Sequence, residues 1–591
     1  MIDDMKCFGD NSLGSGVKKA DKVPFGIDLG TTNSAISVGL GTEGSKIITL
    51  ANGKHTMPSV VAWRGGDNFI VGQEAYDMDP DNSVVRSVKR MMQDADAAVV
   101  FQFNGEERVM SPAEVSAEIL KGLVAQTGGI YGEVKDIVVT VPAYFNQTGI
   151  ENTKKACELA GLNCIHIMRE PTAAALNYRL DKNEANVQYA LVYDLGGGTF
   201  DISLIRISER SSLNKLYRIY GIEPPEDDHS NRKLIEPQAI DGDGHLGGDD
   251  YDDELYKELI RILGDTLRDK YPTKNYDLST ITSLDRKRLT KKVCNAKTDV
   301  YATHCLSVDV VLADGSHVDE VVRMSYQNFY NAFLPIYTRT KKKTNNVLRE
   351  CDCDVDTIIL MGGSTKNPIL VDMLSRDFPG FRINRTLDPD ESVAKGAGIR
   401  ARDFMYGDTS VQIFDILPQS IGILSGDTVL PLIRKNSQLP MLAESMFTTT
   451  QDNQEHVDIR IFQGNSMYPE ECIELGKIVI DGIEKAPKGV PDLAIQLSVN
   501  TDCLLTCKAA INGVYKEKKL SLNAVSDKGN STQEDKWVLR WKKVINRLPE
   551  DEQGKLLDMI SGYPSVYSAK DIGNALRQFT GPKLRTIDDC G

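Results

Sequence analysis

The chain has 591 residues and a formal net charge of −15, with 41% hydrophobic and 26% charged residues. That length suits several domains of about 100–200 residues each, and a core large enough to need no covalent staples. The acidic balance argues against nucleic acid as the main partner, because phosphate backbones are met by clustered Lys and Arg; no apolar run approaches the ~20 residues that span a bilayer.

Residues 1–22 are polar, carry no apolar signal-peptide core and read as a flexible leader. Eleven cysteines are scattered without a C-x-x-C or a zinc-like spacing, and there is no HExxH. Free, mostly buried thiols in a reducing cytosol are expected, with a cytoplasmic location and no membrane.

From residue 23 to about 406, short aliphatic runs alternate with helical patterns, which predicts an α/β domain with buried strands at 137–141, 191–193 and 358–361. The stretch 208–240, which contains EPPEDDHSNRK, is charged and aperiodic and reads as a surface loop. Residues 407–415 form a short join. From 416 to 525 the pattern is all-β. In DLAIQLSVN, Leu493, Ile495, Leu497 and Val499 alternate with Ala494, Gln496, Ser498 and Asn500; in HVDIRIFQG, Val457, Ile459 and Ile461 do the same. Strict alternation predicts half-buried antiparallel strands, as in a sandwich. From 526 to 591 the pattern turns helical, with Trp537, Trp541 and Ile545 at i, i+4, i+8 and a capping-box-like Ser568–Asp571.

One internal repeat carries chemistry. FGIDLGTTNSAISV from Phe25 overlays LVYDLGGGTFDISL from Leu191 without a gap, so that Asp28 falls on Asp194, Gly30 on Gly196 and Ile36 on Ile202. Two such segments in register indicate a duplication, hence two related lobes. Each strand ends in Asp-Leu-Gly and turns sharply. Gly30 and Gly196, Gly197, Gly198 let the backbone come close to a ligand, and the amides with the hydroxyls of Thr31, Thr32 and Thr199 can donate to phosphate oxygens. A carboxylate beside a polyphosphate needs a cation between them, so Asp28 and Asp194 point to Mg²⁺ held mainly through water. Ordinary hairpin turns would not explain the duplicated threonines or the further carboxylate at Asp201. No G-x-x-x-x-G-K-[ST] is present, which excludes a P-loop.

FGIDLGTTNS, VVTVPAYFNQ, REPTAAALNY, VYDLGGGTFDIS, HLGGDDYD, LMGGSTKNP and LDPDESVAKGA together resemble the nucleotide-binding domain of the seventy-kilodalton heat-shock chaperones; DNQEHVDIRIFQG and DGIEKAPKGVP are similar to their peptide-binding β-sandwich. The resemblance spans roughly residues 23–525. It implies a two-lobed, actin-like ATPase domain at 23–406, a linker at 407–415, a substrate-binding sandwich at 416–525 and an abbreviated helical lid at 526–591. It implies binding of ATP and ADP with Mg²⁺ (K⁺ being a candidate further ion) and slow hydrolysis. By match to the family motifs, Lys89, Glu170, Thr199 and Asp201 are the catalytic set. Asn33, Gly247, Lys297, Gly362, Gly363, Ser364, Lys366 and Asp390 join the hairpin residues around the nucleotide. Ile421, Ile423, Phe447, Val457 and Ile459 line the peptide cleft, and Pro142 and Asp415 relay the nucleotide state. The implied partners are unfolded or extended polypeptide, a J-domain co-chaperone and a nucleotide exchange factor.

The departures from the pattern predict altered behaviour. Cys294 stands where the family has an acid three residues before Lys297, which predicts weaker nucleotide affinity. Ile150 replaces a relaying arginine, and Gln412 enters an apolar linker, which predicts weak interdomain coupling. The tail of roughly 65 residues is much shorter than the family lid and predicts fast peptide exchange. The alternative to an active chaperone is a weakly or non-hydrolysing co-chaperone or scaffold of the same family. A small-molecule kinase of the same fold is disfavoured by the sandwich.

Overall fold

The computed structural model describes residues 23–518, apart from 41–43, 80, 181–187, 209–232, 352 and 409. The leader and the helical, capping and lid readings at 526–591 lie outside the described residues. By compactness the chain divides into two units. The first takes the residues up to Gly422 with Pro431–Glu455 and Ile483–Lys518; the second holds Ile423–Leu430 and His456–Gly482.

Two sheets of the first unit share one plan. In one, Asn163–Arg169, Asp136–Val141 and Phe25–Asp28 run parallel, and Phe25–Asp28 then turns into the antiparallel Asn33–Leu40 and Gly44–Ile47. In the other, Arg382–Asn384, Thr357–Met361 and Gln188–Leu195 run parallel before the antiparallel Phe200–Ser208 and Lys233–Asp243. The hairpin registers agree. Asp28 faces Ala35 and Ile27 faces Ile36, as Asp194 faces Asp201 and Tyr193 faces Ile202. The repeat seen in the text is therefore a repeat of pairing. Its parallel strands are continuous apolar runs because both faces are covered: every residue of Asp136–Val141 and of Thr357–Met361 is buried.

Helices supply the cover. Ser392–Tyr406 crosses the first sheet so closely that a Cβ on Gly26 would lie 2.0 Å from the Gly398 nitrogen. It ends at Gly407, whose φ of 65° is the left-handed C-terminal stop that glycine favours. On the second sheet, Gly248–Lys270 presents Leu255, Leu259, Leu263 and Leu267 at a four-residue spacing, and all four enter the core with Leu191, Tyr193 and Ile202. Each such burial is worth roughly 1.5–3 kcal/mol.

The loop expected at 208–240 is corrected. Ser208 closes one strand and Lys233–Asp243 forms the next, leaving 209–232 outside the described residues. Pro237 hid the strand. It is tolerated because it faces Ile205 where the register shifts between Leu204 and Ile205, at a bulge that spares the missing amide. The sheet then gains Val411–Ile413, with Gln412 opposite Leu234. The cysteines also differ from expectation. Nine described cysteines are free thiols, but only Cys157, Cys503 and Cys507 are buried.

The alternating text at 493–499 forms the strand Leu493–Val499, within a four-stranded antiparallel sheet with Met441–Phe447, Leu505–Ile511 and Val514–Lys518. Leu493, Ile495, Leu497 and Val499 are buried as the alternation requires. In the second unit, His456–Gln463 pairs with Ile473–Asp481, with Ile459 opposite Ile478.

Candidate active site

The two Asp-Leu-Gly turns open on one cleft of about 840 Å³ within the first unit. The hairpin of the second sheet meets the first at a point where no side chain fits: a Cβ on Gly197 would lie 1.6 Å from Thr32 Oγ1. Asp28, Gly30, Thr31, Thr32, Asn33, Gly196, Gly197 and Thr199 line the cleft. Gly198 does not. It packs against Thr31 and Arg90, and a Cβ there would come within 2.6 Å of both. Gly30 lines the cleft, yet its lack of a Cβ serves the turn, because a Cβ would meet the Asn33 carbonyl at 2.0 Å.

At the closed end of the cleft, Lys89 Nζ donates to Glu170 Oε1 at 2.5 Å, and both side chains are more than nine-tenths buried. Lys89 sits on the short helix Val88–Gln93, and Glu170 opens the helix Glu170–Leu180 straight after a sheet strand. Burial works against the lysine charge, but Glu170 and Asp28 more than offset it and hold its pKa above the usual value. Burial, with the charge of Glu170 next, pushes Asp28 and Asp201 up to about 7; the same two causes raise Asp194 well above the carboxylate range. Thr140 Oγ1 donates to Asp28 at 3.1 Å, and Asp201 accepts from the Tyr144 amide at 2.9 Å. Asp201 is 2% exposed and lies beneath the lining rather than on it.

Four carboxylates thus surround one lysine, and that surplus charge fits a cation. Among the described residues no three His, Cys, Asp or Glu side chains form a direct ligand set. The fit of Asp28 and Asp194 is accordingly to a hydrated ion such as Mg²⁺, which dehydrates reluctantly.

At the open end, Gly362, Gly363, Ser364, Asp390, Lys297 and Cys294 line the cleft. Ser364 Oγ donates to the Gly196 carbonyl at 2.8 Å. Lys297 pairs with Asp252 at 2.5 Å. Lys366 is not on the lining; it pairs with Asp390 at 2.6 Å and Asp388 at 3.5 Å. Gly247 is also behind the lining, its Cα packed on Gly197, while Gly248 reaches it. Sequence reasoning missed Tyr76, Arg86, Asp249 and Asp252, which share the lining. It also missed a clasp beside it, in which Ser87 donates to Asp249 at 2.6 Å and Arg90 to Asp250 at 2.5 Å. The DD-x-D run at Asp249–Asp252 was a signal available in the text.

Behind the cleft, Arg169 is fully buried. Its guanidinium donates to the carbonyls of Ala143 and Pro142 and lies 3.5 Å from Asp415. It therefore ties the segment after Pro142 to the strand Asp415–Ile416. Asp502 accepts from the Ile167 amide at 3.3 Å and meets His166 Nδ1 at 2.5 Å. Ile150 is buried. Gln412 is half-buried, and its Oε1 is shielded from solvent without a hydrogen-bond partner. An orphaned amide oxygen costs free energy, so Gln412→Leu is expected to raise the unfolding free energy by about 1–2 kcal/mol in urea titration; an unchanged or lowered value would show that the oxygen is satisfied. Of the expected peptide-cleft residues, Ile421 and Phe447 belong to the first unit and Ile423, Val457 and Ile459 to the second. Ile421, Ile423 and Ile459 are buried, and Phe447 and Val457 are half-buried.

The family described as Hsp70 protein matches residues 24–212 and 231–556. The chain is 32% identical over 574 residues to the chaperone protein DnaK of Mycoplasmoides gallisepticum, covering 95% of this chain and 88% of that one. It is 31% identical over 520 residues to DnaK of Mycoplasma mobile, covering 86% and 79%, and 31% identical over 510 residues to DnaK of Metamycoplasma hominis, covering 85% and 79%. With its two-sheet repeat, its cleft and a match running from the first strand past the last described one, the chain belongs to the Hsp70 family.

Proposed function

We propose that this protein is a chaperone that hydrolyses ATP slowly in the cleft and uses the cycle to bind and release extended apolar segments of unfolded proteins. The buried Lys89–Glu170 pair beside Asp28 and Asp194 is the observation that carries the hydrolytic part. The amide of Gly197 and the hydroxyls of Thr31, Thr32 and Thr199 hold phosphate oxygens, while the Gly196 amide closes the turn by donating to the Thr199 carbonyl at 3.1 Å. Lys89 orients the attacking water and offsets charge that spreads over the transferred phosphoryl group, as in-line hydrolysis requires. Glu170 holds the lysine in one rotamer. Asp28 and Asp194 would hold the hydration shell of Mg²⁺, which would supply neutralisation of phosphate charge. Thr199 and Asp201 fix the second hairpin on the water side. Gly362, Gly363, Ser364, Lys297 and Asp390 form the adenosine end.

Peptide binding rests on the antiparallel sheets after residue 416 and on the family, whose relatives are named chaperones. An extended segment would be held by backbone hydrogen bonds and side-chain pockets. A J-domain protein and an exchange factor are the partners that this reading adds, and the cytoplasm is its location. Among the described residues no helix is long and apolar enough to cross a membrane. Calorimetry tests the site: ATP should bind in Mg²⁺ and lose most of its affinity in EDTA, and binding indifferent to the metal would contradict the assignment.

Cys294 marks the weak point of the adenosine end. Burial pushes its thiol up to about 11, so it stays neutral and offers a poor acceptor to a ribose hydroxyl. Cys294→Glu is expected to tighten ADP binding roughly tenfold, the effect of one charged hydrogen bond. Equal or weaker binding would remove this explanation of low affinity. The alternative of a non-hydrolysing co-chaperone is favoured by one observation, the orphaned Gln412 oxygen in the strand Val411–Ile413, since an unpaired polar atom there disfavours docking of this segment without touching the cleft.

A further inference from the structure

Two thiols, one on the first sheet and one on a helix beside it, are not among the cleft lining. Cys157 lies in the last turn of the helix Gln147–Leu159, and Cys164 lies in the strand Asn163–Arg169. The turn between them is tight: the Leu162 amide donates back to the Cys157 carbonyl at 2.9 Å. That turn brings the two side chains within interaction range of each other, and Cys164 is the first cause that holds the Cys157 thiol above its usual pKa. They differ in access, since Cys157 is buried and Cys164 is half-buried. Cys164 Sγ also donates to the His166 carbonyl at 3.5 Å, and His166 and Ile167 are the residues that Asp502 grips.

We propose that Cys157 and Cys164 form a dithiol modification site that a peroxide closes to an intramolecular disulfide. Cys164 is the attacking sulfur because it alone of the two faces solvent. Its sulfur displaces water from hydrogen peroxide, breaking the O–O bond and becoming a sulfenic acid. Cys157 then attacks that sulfur. The S–O bond breaks as the S–S bond forms, and a second water leaves with the Cys157 proton, so one peroxide is reduced to two waters and the pair loses two electrons. The neighbouring Cys164, and then burial, hold the Cys157 thiol above its usual pKa, which suits it to the second step rather than the first. Closure removes the Cys164 proton that the His166 carbonyl accepts, and so loosens the strand where Asp502 is held.

The test treats the full chain with hydrogen peroxide, blocks remaining thiols with N-ethylmaleimide and maps peptides under non-reducing conditions. The expected result is a 157–164 cross-linked peptide, with loss of both alkylatable thiols and recovery by dithiothreitol. In Cys164→Ser, Cys157 should remain an alkylatable thiol once unfolded; in Cys157→Ser, Cys164 should be trapped by dimedone as the sulfenic acid. Hydrogen exchange of the Ile167 amide should quicken in the oxidised wild type. Wild-type thiols that both stay alkylatable, or that cross-link elsewhere, overturn the site. Oxidation of Cys157 in Cys164→Ser overturns the order of attack, and unchanged exchange at Ile167 overturns the link to Asp502.

Discussion

Replacing Lys89 by alanine is expected to slow ATP turnover roughly 100- to 1,000-fold, the loss seen when one preorganised charge donor is removed from a reacting centre. Among the described residues Lys89 is the cation that pairs with Glu170 in the cleft, beside Asp28, Asp194 and Asp201, whose carboxyls burial holds above their usual range. Its loss leaves the buried Glu170 carboxylate on the cleft wall without its 2.5 Å partner. Breaking a buried pair of this kind costs about 3–5 kcal/mol when one charge remains. Single-turnover hydrolysis, with ATP affinity measured in parallel, separates the two effects. Turnover that persists while binding falls would assign Lys89 to binding. Lys89→Met, which keeps the volume and removes the charge, should match alanine in rate and exceed it in stability.

Arg169→Ala is expected to destabilise the first unit by about 3–5 kcal/mol and to flatten any dependence of ATP turnover on peptide. The guanidinium satisfies the carbonyls of the buried Pro142 and Ala143 and faces the half-buried Asp415. Asp415 adds a pH signature. Burial pushes its carboxyl from 3.8 up to about 6, against the pull of Arg169 and of the Ile416 amide. A carboxyl raised in the folded state gives stability that is full below its unfolded pKa and is lost as pH rises through the folded one. Between pH 4 and 7 the wild type should therefore lose on the order of 3 kcal/mol that Asp415→Asn does not lose. Denaturant titrations of both proteins across that window give the difference directly. Parallel slopes would mean that Asp415 is solvated and the linker is not docked on Arg169.

The parts legible in the text were those whose pattern is local. Phe25–Asp28 and Gln188–Leu195 announce themselves because strand, turn and glycine lie in one run, and the gapless overlay fixes their common register. Leu493–Val499 is legible because side chains alternate across a strand. What stayed hidden needs distant residues side by side. Arg169 stands in a quoted motif, but nothing in its neighbours says that Asp415 will lie 3.5 Å away. Asp252 takes Lys297, and Lys366 takes Asp390, through pairings the linear order does not contain. The strand Lys233–Asp243 was lost to a proline whose tolerance depends on a bulge in its neighbour. Gln412 is the reverse case. A buried amide was legible as an oddity, and the fold leaves its oxygen unpaired.

The account turns on hydrolysis in the cleft being coupled to peptide. Phosphate release by the full chain with Mg²⁺ and ATP, with and without an extended apolar peptide, tests it most directly. The prediction is slow turnover that Lys89→Ala lowers roughly 100- to 1,000-fold and that peptide raises only modestly. Turnover absent in the wild type, or equal in wild type and Lys89→Ala, would contradict it.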